Sequence, residues 1–152
     1  MLKGKTAIVT GGSSGIGAAV AERLGASGAN VAVVASRDQA KAKVVSDKII
    51  SNGGVAGAFV ADVRDRKNVT ELVGAVTEQW SAPDILVAAA GIFLPNQIGS
   101  EDGVEIFDRT IDTNLKAAYY CVDAVVPGMR AKGGGAIVAI SSVAASIGVQ
   151  QH

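Results

Sequence analysis

Cysteine is nearly absent from this 152-residue chain: Cys121 stands alone, so no internal disulfide can form, and no paired Cys and His pattern suggests a zinc site. A reducing, cytoplasmic setting is the expectation that follows. Charge of one sign is also missing, because Lys+Arg 14 balance Asp+Glu 14. That balance argues against a basic nucleic-acid surface. Charged residues make up only 18%, below the roughly 25% of an ordinary domain. Long apolar runs are lacking too. The most apolar stretch, Ile85 to Leu94, falls far short of the roughly 20 residues of a membrane-spanning helix, and the first apolar run is too short for a signal-peptide core. Aromatic residues are few, at one Trp, two Tyr and three Phe.

What remains is apolar and glycine-rich: 49% of residues are hydrophobic and 19 are glycine. Such a composition fits one domain, 1–152, with a sizeable buried core. Short branched runs alternate with stretches of helical period, the mark of repeated strand-helix-strand units around a parallel sheet. The runs predict strands over Thr6 to Thr10, Val31 to Ala35, Val55 to Val60, Asp84 to Ala89 and Ala136 to Ser141. Helices are expected over about Gly15 to Ser27, Asp38 to Ser51 and Asp65 to Trp80, the last on the spacing of Val69, Leu72, Val73, Val76 and Trp80. A longer helix is expected from about Ser100, as N-cap, to Arg130. Its sheet-facing stripe would be Val104, Phe107, Ile111, Leu115, Ala118, Val122 and Val125. The fold class is α/β, a Rossmann-type doubly wound parallel sheet.

Directly after the first strand stands Thr10-Gly11-Gly12-Ser13-Ser14-Gly15-Ile16-Gly17, and the next residues open a helix. Glycines let backbone approach a pyrophosphate closely, while the N–H groups and dipole at a helix start favour negative charge. A plain tight turn would explain the glycines alone; their place at the first strand-helix junction points to dinucleotide binding.

This segment is similar to the TGxxxGIG fingerprint of the short-chain dehydrogenase/reductase family, and further motifs follow in the family's order. Asp62-Val63 resembles the pair that contacts adenine. Asn114, in Asp112-Thr113-Asn114-Leu115, resembles the helix asparagine of the catalytic set, which would hold a water chain. Ser142, in Ser141-Ser142, resembles the serine that hydrogen-bonds the substrate oxygen. The resemblance implies strand order 3-2-1-4-5 and hydride transfer between NADP or NAD and a small carbonyl/alcohol substrate. It also implies a homo-oligomer, dimer or tetramer, at full length. Cofactor contacts are expected at Gly11, Ser13, Ser14, Gly15, Ile16, Gly17, Ser36, Arg37, Asp62, Val63, Ala88, Ala90 and Gly91.

The sequence departs from the family twice. Ala88-Ala89-Ala90-Gly91 stands where the family usually carries Asn-Asn-Ala-Gly. The family's proton-donor tyrosine, with a lysine four residues on, would fall about three positions beyond His152. Neither Tyr119 nor Tyr120 replaces it, because Asp123 and Ala124 occupy the positions four residues later. The chain therefore reads as the amino-terminal part of a longer enzyme, inactive by itself. The rival reading is a non-catalytic nucleotide-binding fragment. After the second strand, Ala35-Ser36-Arg37 leans toward NADP, since a hydroxyl and a guanidinium suit a 2′-phosphate, although Asp38 sits next door. Cys121 and Trp80 read as packing residues, and Tyr119 and Tyr120 as packing or interface residues.

Overall fold

A computed structural model describes residues 1–145 and residue 147. Five strands, β1 (Thr6–Thr10), β2 (Asn30–Ala35), β3 (Val55–Val60), β4 (Ile85–Ala88) and β5 (Ala136–Ala139), form one sheet in the order β3-β2-β1-β4-β5. Every pairing is parallel, with Ile8 opposite Ala32 on one side and Leu86 on the other. The helices are α1 (Gly15–Ala26), α2 (Gln39–Ser51), α3 (Arg66–Gln79), α4 (Gly103–Ile111) and α5 (Ala117–Ala131). A π-helical stretch, Asp112–Lys116, joins the last two. The doubly wound α/β architecture and the 3-2-1-4-5 order are as the sequence implies.

Strand side chains alternate between faces, and the core divides accordingly. On one face Ile8, Ala32, Val34 and Leu86 meet Val69, Leu72 and Val76 of α3 and Ala117, Cys121, Val125 and Met129 of α5. On the other, Ala7, Val9, Val31, Val33 and Val87 meet Ala21 of α1 and Ala42, Val45 and Ile49 of α2. Burying a branched side chain contributes about 1.5–3 kcal/mol, so the central strands carry much of the stability. Asp38 and Asp65 begin their helices as caps: each carboxylate accepts from two backbone N–H groups of the following turn. Both helices thus start one residue after the expected boundary. Trp80 closes α3 and packs edge-on against Phe59, ring centroids 6.2 Å apart.

The sheet is anchored at the amino ends of its strands by Asp84, whose side chain is 8% exposed. It accepts from Lys5 Nζ at 3.0 Å and from the Thr6 N–H at 2.9 Å, and it pairs with Lys132 Nζ at 2.8 Å. Burial alone would raise its pKa, but these donors outweigh burial and hold it at about 2.

The long helix corrects two expectations. Ser100 is not its N-cap. A turn closed by Ser100 N–H on the Gln97 carbonyl precedes the helix, with Gly99 at φ 87, and α4 starts only after Asp102. The sheet-facing stripe is displaced in its first half. Val104, Phe107 and Leu115 are exposed, while Val125 is buried and Val122 packs against the core as expected; the inward track runs from half-buried Ile106, Thr110 and Thr113 to buried Ala117, Cys121, Val125 and Met129. Small residues face inward because the helix lies close to the sheet and α3. β5 ends at Ala139, short of the expected Ser141, although the Ile140 N–H still reaches the Ala88 carbonyl. Its residues are exposed along the whole strand.

Candidate active site

A cleft of about 370 Å³ opens at the carboxyl ends of β1, β2, β3 and β4. This is where an open parallel α/β sheet places its ligands. Gly11, Ser13, Ser14, Ser36, Arg37, Asp62, Val63, Ala90 and Gly91, each singled out from the sequence, all line it. Arg64, Ile92, Arg109 and Thr113 line it too and were not singled out.

The glycine loop forms its floor. Gly11 has φ 64, and a Cβ there would meet the Ala89 carbonyl oxygen at 2.8 Å. A Cβ on Gly17 would run into the carbonyl of Gly11. The loop is therefore closed to any side chain at two points, and Gly11 itself lines the cleft. Ser14 precedes α1 in an extended conformation and makes no side-chain capping bond, unlike Asp38 and Asp65. The first-turn N–H groups of α1, a helix of 12 residues, are thus left uncapped by that side chain, as suits an anion. Gly15, Ile16 and Gly17 form that first turn, and Ile16 is exposed.

Thr10 supplies what the alanines at β4 cannot. Its buried Oγ1 accepts from the Ala89 N–H at 3.2 Å and the Ala90 N–H at 3.3 Å, tying the end of β1 to the segment after β4. Ala88 itself is buried within β4 and is not among the lining residues. A hydroxyl directly before Gly11-Gly12 was the only sequence signal of this role.

Asp62 is gripped by Arg64. Oδ1 accepts from the Arg64 N–H at 3.1 Å and Nε at 2.9 Å, while Oδ2 accepts from Nη2 at 2.6 Å. Hydrogen bonding from the guanidinium holds the carboxyl below its usual range against the opposing effect of burial, and Arg37 adds a smaller favourable charge effect. Asp38 points its carboxylate at Ala40 and Lys41 N–H of α2, an assignment that occupies it in capping. Arg37 and Arg109 have no ion pair among the described residues.

Asn114 sits in the π-helical stretch, a feature often found at functional positions. Its amide is bonded to the backbone of Ile92 just past β4. Ser142 follows β5, exposed and outside the lining, and its Oγ accepts from the Ala144 N–H at 3.2 Å at a 3₁₀ turn, Val143–Ala145. That bond uses the oxygen as acceptor and leaves the hydroxyl hydrogen for another partner. Tyr119 is exposed, and Tyr120 packs partly against the core.

A family model described as short chain dehydrogenase matches residues 5–152. The chain belongs to the short chain dehydrogenase family. It is 39% identical over 143 residues to an uncharacterized oxidoreductase of Staphylococcus saprophyticus, covering 93% of this chain and 60% of that one. It is 43% identical over 141 residues to glycine betaine reductase ATRR of Emericella nidulans, covering 93% of this chain and 11% of the relative. A crystal structure of a metagenomic short-chain oxidoreductase in complex with NADP superposes with a TM-score of 0.90 at 36% identity, covering 97% of this chain and 66% of that one. The short chain dehydrogenase fold described above is thus shared with longer relatives, and the chain spans less than two thirds of their length. It is an oxidoreductase-family protein with a Rossmann fold, and no helix among its described residues is long and apolar enough to cross a membrane.

Proposed function

We propose that residues 1–152 form the NADP-binding domain of an oxidoreductase, which in the whole protein transfers hydride between the nicotinamide and a small carbonyl/alcohol substrate. One observation carries the cofactor part: in the loop after β2, Asp38 is committed to capping α2 while Ser36 and Arg37 face the cleft. An acidic residue there would favour the ribose 2′-OH of NAD, whereas a hydroxyl beside an unpaired guanidinium favours a 2′-phosphate. The fit extends to the bare backbone at Gly11 and the uncapped start of α1, which would hold the pyrophosphate.

When bound, the dinucleotide supplies the hydride chemistry. The chain's own residues would orient it: Asp62 and Val63 would hold the adenine end, and Ala90 and Gly91, which line the same cleft, would allow close backbone approach on the side toward Asn114. Asn114 has its side chain committed to Ile92, so any water it holds is held by backbone groups of the π-helical stretch. Ser142, whose Oγ accepts from the Ala144 N–H, would offer its hydroxyl hydrogen to the substrate oxygen. No Tyr in the sequence has a Lys four residues later, and general acid catalysis is worth about 100- to 10,000-fold. The chain by itself accordingly binds the cofactor with little or no turnover. The rival reading, a nucleotide-binding protein without catalysis, shares the binding prediction and differs at full length.

Fluorescence titration of the chain with NADPH and NADH tests the binding. Saturable binding with NADPH preferred supports the reading, and failure to bind either removes it. Assay of the whole protein on small ketones and aldehydes separates enzyme from rival. Cytoplasmic location and self-association belong to the same proposal, the latter supported by the exposed apolar row Val104, Phe107, Leu115 and Tyr119. Light scattering on the whole protein checks it.

A further inference from the structure

We propose that Arg64 is a specificity-determining residue that acts through Asp62, neutralising its carboxylate so that Arg37 stays available to a 2′-phosphate. The inference rests on the dinucleotide reading above.

Asp62 is the one carboxylate among the residues lining the cleft, against Arg37, Arg64 and Arg109. Without a partner it would be a bare anion lining the same cleft as Arg37, whose charge also favours the ionised form of Asp62. A bare anion there would act in two ways. It would draw toward itself the Arg37 side chain, which has no ion pair among the described residues, and it would repel a doubly charged phosphate on the neighbouring ribose. Arg64 prevents both. Its planar fork covers both carboxylate oxygens at 2.9 Å and 2.6 Å, while its backbone N–H takes a further position on Oδ1. A bidentate fork of this kind fixes orientation as well as charge. Of the four acceptor positions of the Asp62 carboxylate, the one that Arg64 leaves, on Oδ2, would accept from a base amino group. Because Asp62 and Arg64 are only two residues apart, the pair forms within one turn and needs no ligand to assemble. The cleft therefore presents a net positive wall before anything binds.

The test is a cycle of four proteins, the unaltered chain, R64Q, D62N and D62N/R64Q, each titrated with NADPH and NADH at low ionic strength, where exposed charges are least screened. Calorimetry with 2′,5′-ADP and 5′-AMP repeats the comparison without the nicotinamide half. Loss of the Asp62 contact to the base affects NADPH and NADH alike, so the ratio of the two affinities is the readout. We expect R64Q to narrow the preference for NADPH by about 5-fold, chiefly by weakening NADPH. D62N/R64Q should regain most of it, because the uncovered anion is gone. R64K, which keeps the charge and loses the fork, should fall between. Circular dichroism checks that each variant is folded, as expected for exposed Arg64 and half-buried Asp62. Equal weakening of both dinucleotides in R64Q, or no recovery in the double variant, overturns the inference and leaves the dinucleotide reading intact. So does an unaltered chain that binds both dinucleotides equally. A chain that binds neither overturns both.

Discussion

Asn114 holds Ile92 by both ends of one amide: Oδ1 accepts the Ile92 N–H at 2.8 Å, and Nδ2 donates to the Ile92 carbonyl at 2.9 Å. The pair spans the helix and the segment that follows β4, so the wall of the cleft at Gly91 and Ile92 is fixed from behind by a side chain that need not touch a ligand. N114A should lose both bonds at once. Each contributes about 1 kcal/mol at most at an exposed site, so a fall of about 1 kcal/mol is expected from urea denaturation. Weaker NADPH binding should accompany it in fluorescence titration. An unchanged affinity would show that the wall stands without the amide.

Thr10 makes a sharper case because it is buried. T10V keeps the shape and removes the acceptor, leaving the Ala89 and Ala90 N–H groups without their partner. Unsatisfied groups of this kind cost about 1–3 kcal/mol each in buried settings. A loss toward the lower end of that range is expected, since both N–H groups are only part-buried. Hydrogen exchange should show it directly, as faster exchange confined to Ala89 and Ala90.

Asp84 predicts the acid behaviour of the fold. Its folded pKa of about 2 lies below the ordinary 3.8. The stabilisation is therefore fully present above the unfolded value and is lost as pH falls from about 4 through about 2. The shift corresponds to about 2 kcal/mol. D84N should be less stable at neutral pH, and its stability should fall less than that of the unaltered chain across that window. Thermal melts at several pH values read both effects.

Cys121 is buried on α5, and burial pushes its thiol up to about 11. Alkylation requires the thiolate. Iodoacetamide at mildly alkaline pH should leave the folded chain unmodified and label it fully in urea, as read by intact mass. Labelling of the folded chain at the unfolded rate would contradict the placement of this face of α5 against the sheet.

The parts of the molecule that the sequence made legible are those whose physics is local. Asp38 and Asp65 cap helices from within a turn of their partners, β1 and β3 end where the apolar runs end, Gly11 takes a positive φ, and Gly17 must clear the backbone of Gly11 within the same loop. What stayed hidden depends on distance along the chain. The Thr10 hydroxyl serves N–H groups 79 and 80 residues away, and no spacing rule signals that. The first half of the long helix's stripe is misplaced because periodicity ranks residues by bulk. Val104, Phe107 and Leu115 look like core and are exposed, whereas small Ala117 and Cys121 join Val125 in the core. Arg64 and Arg109 belong to no motif in the sequence, and only the folded cleft brings them together among its lining residues.

The π-helical stretch Asp112–Lys116 also acts as a phase corrector. A regular α-helix turns about 100° per residue, which would leave Ile106 and Met129 about 140° apart around its axis. The wider turns absorb the surplus of roughly one residue, so the inward track stays on one side from end to end. A variant with one residue fewer in this stretch could keep that track with an unbroken α-helix. The scaffold would then be spared, while the bulge that carries Asn114 to Ile92 would be gone. Length here is under two separate demands, the phase of the long helix and the reach of Asn114 to the segment after β4.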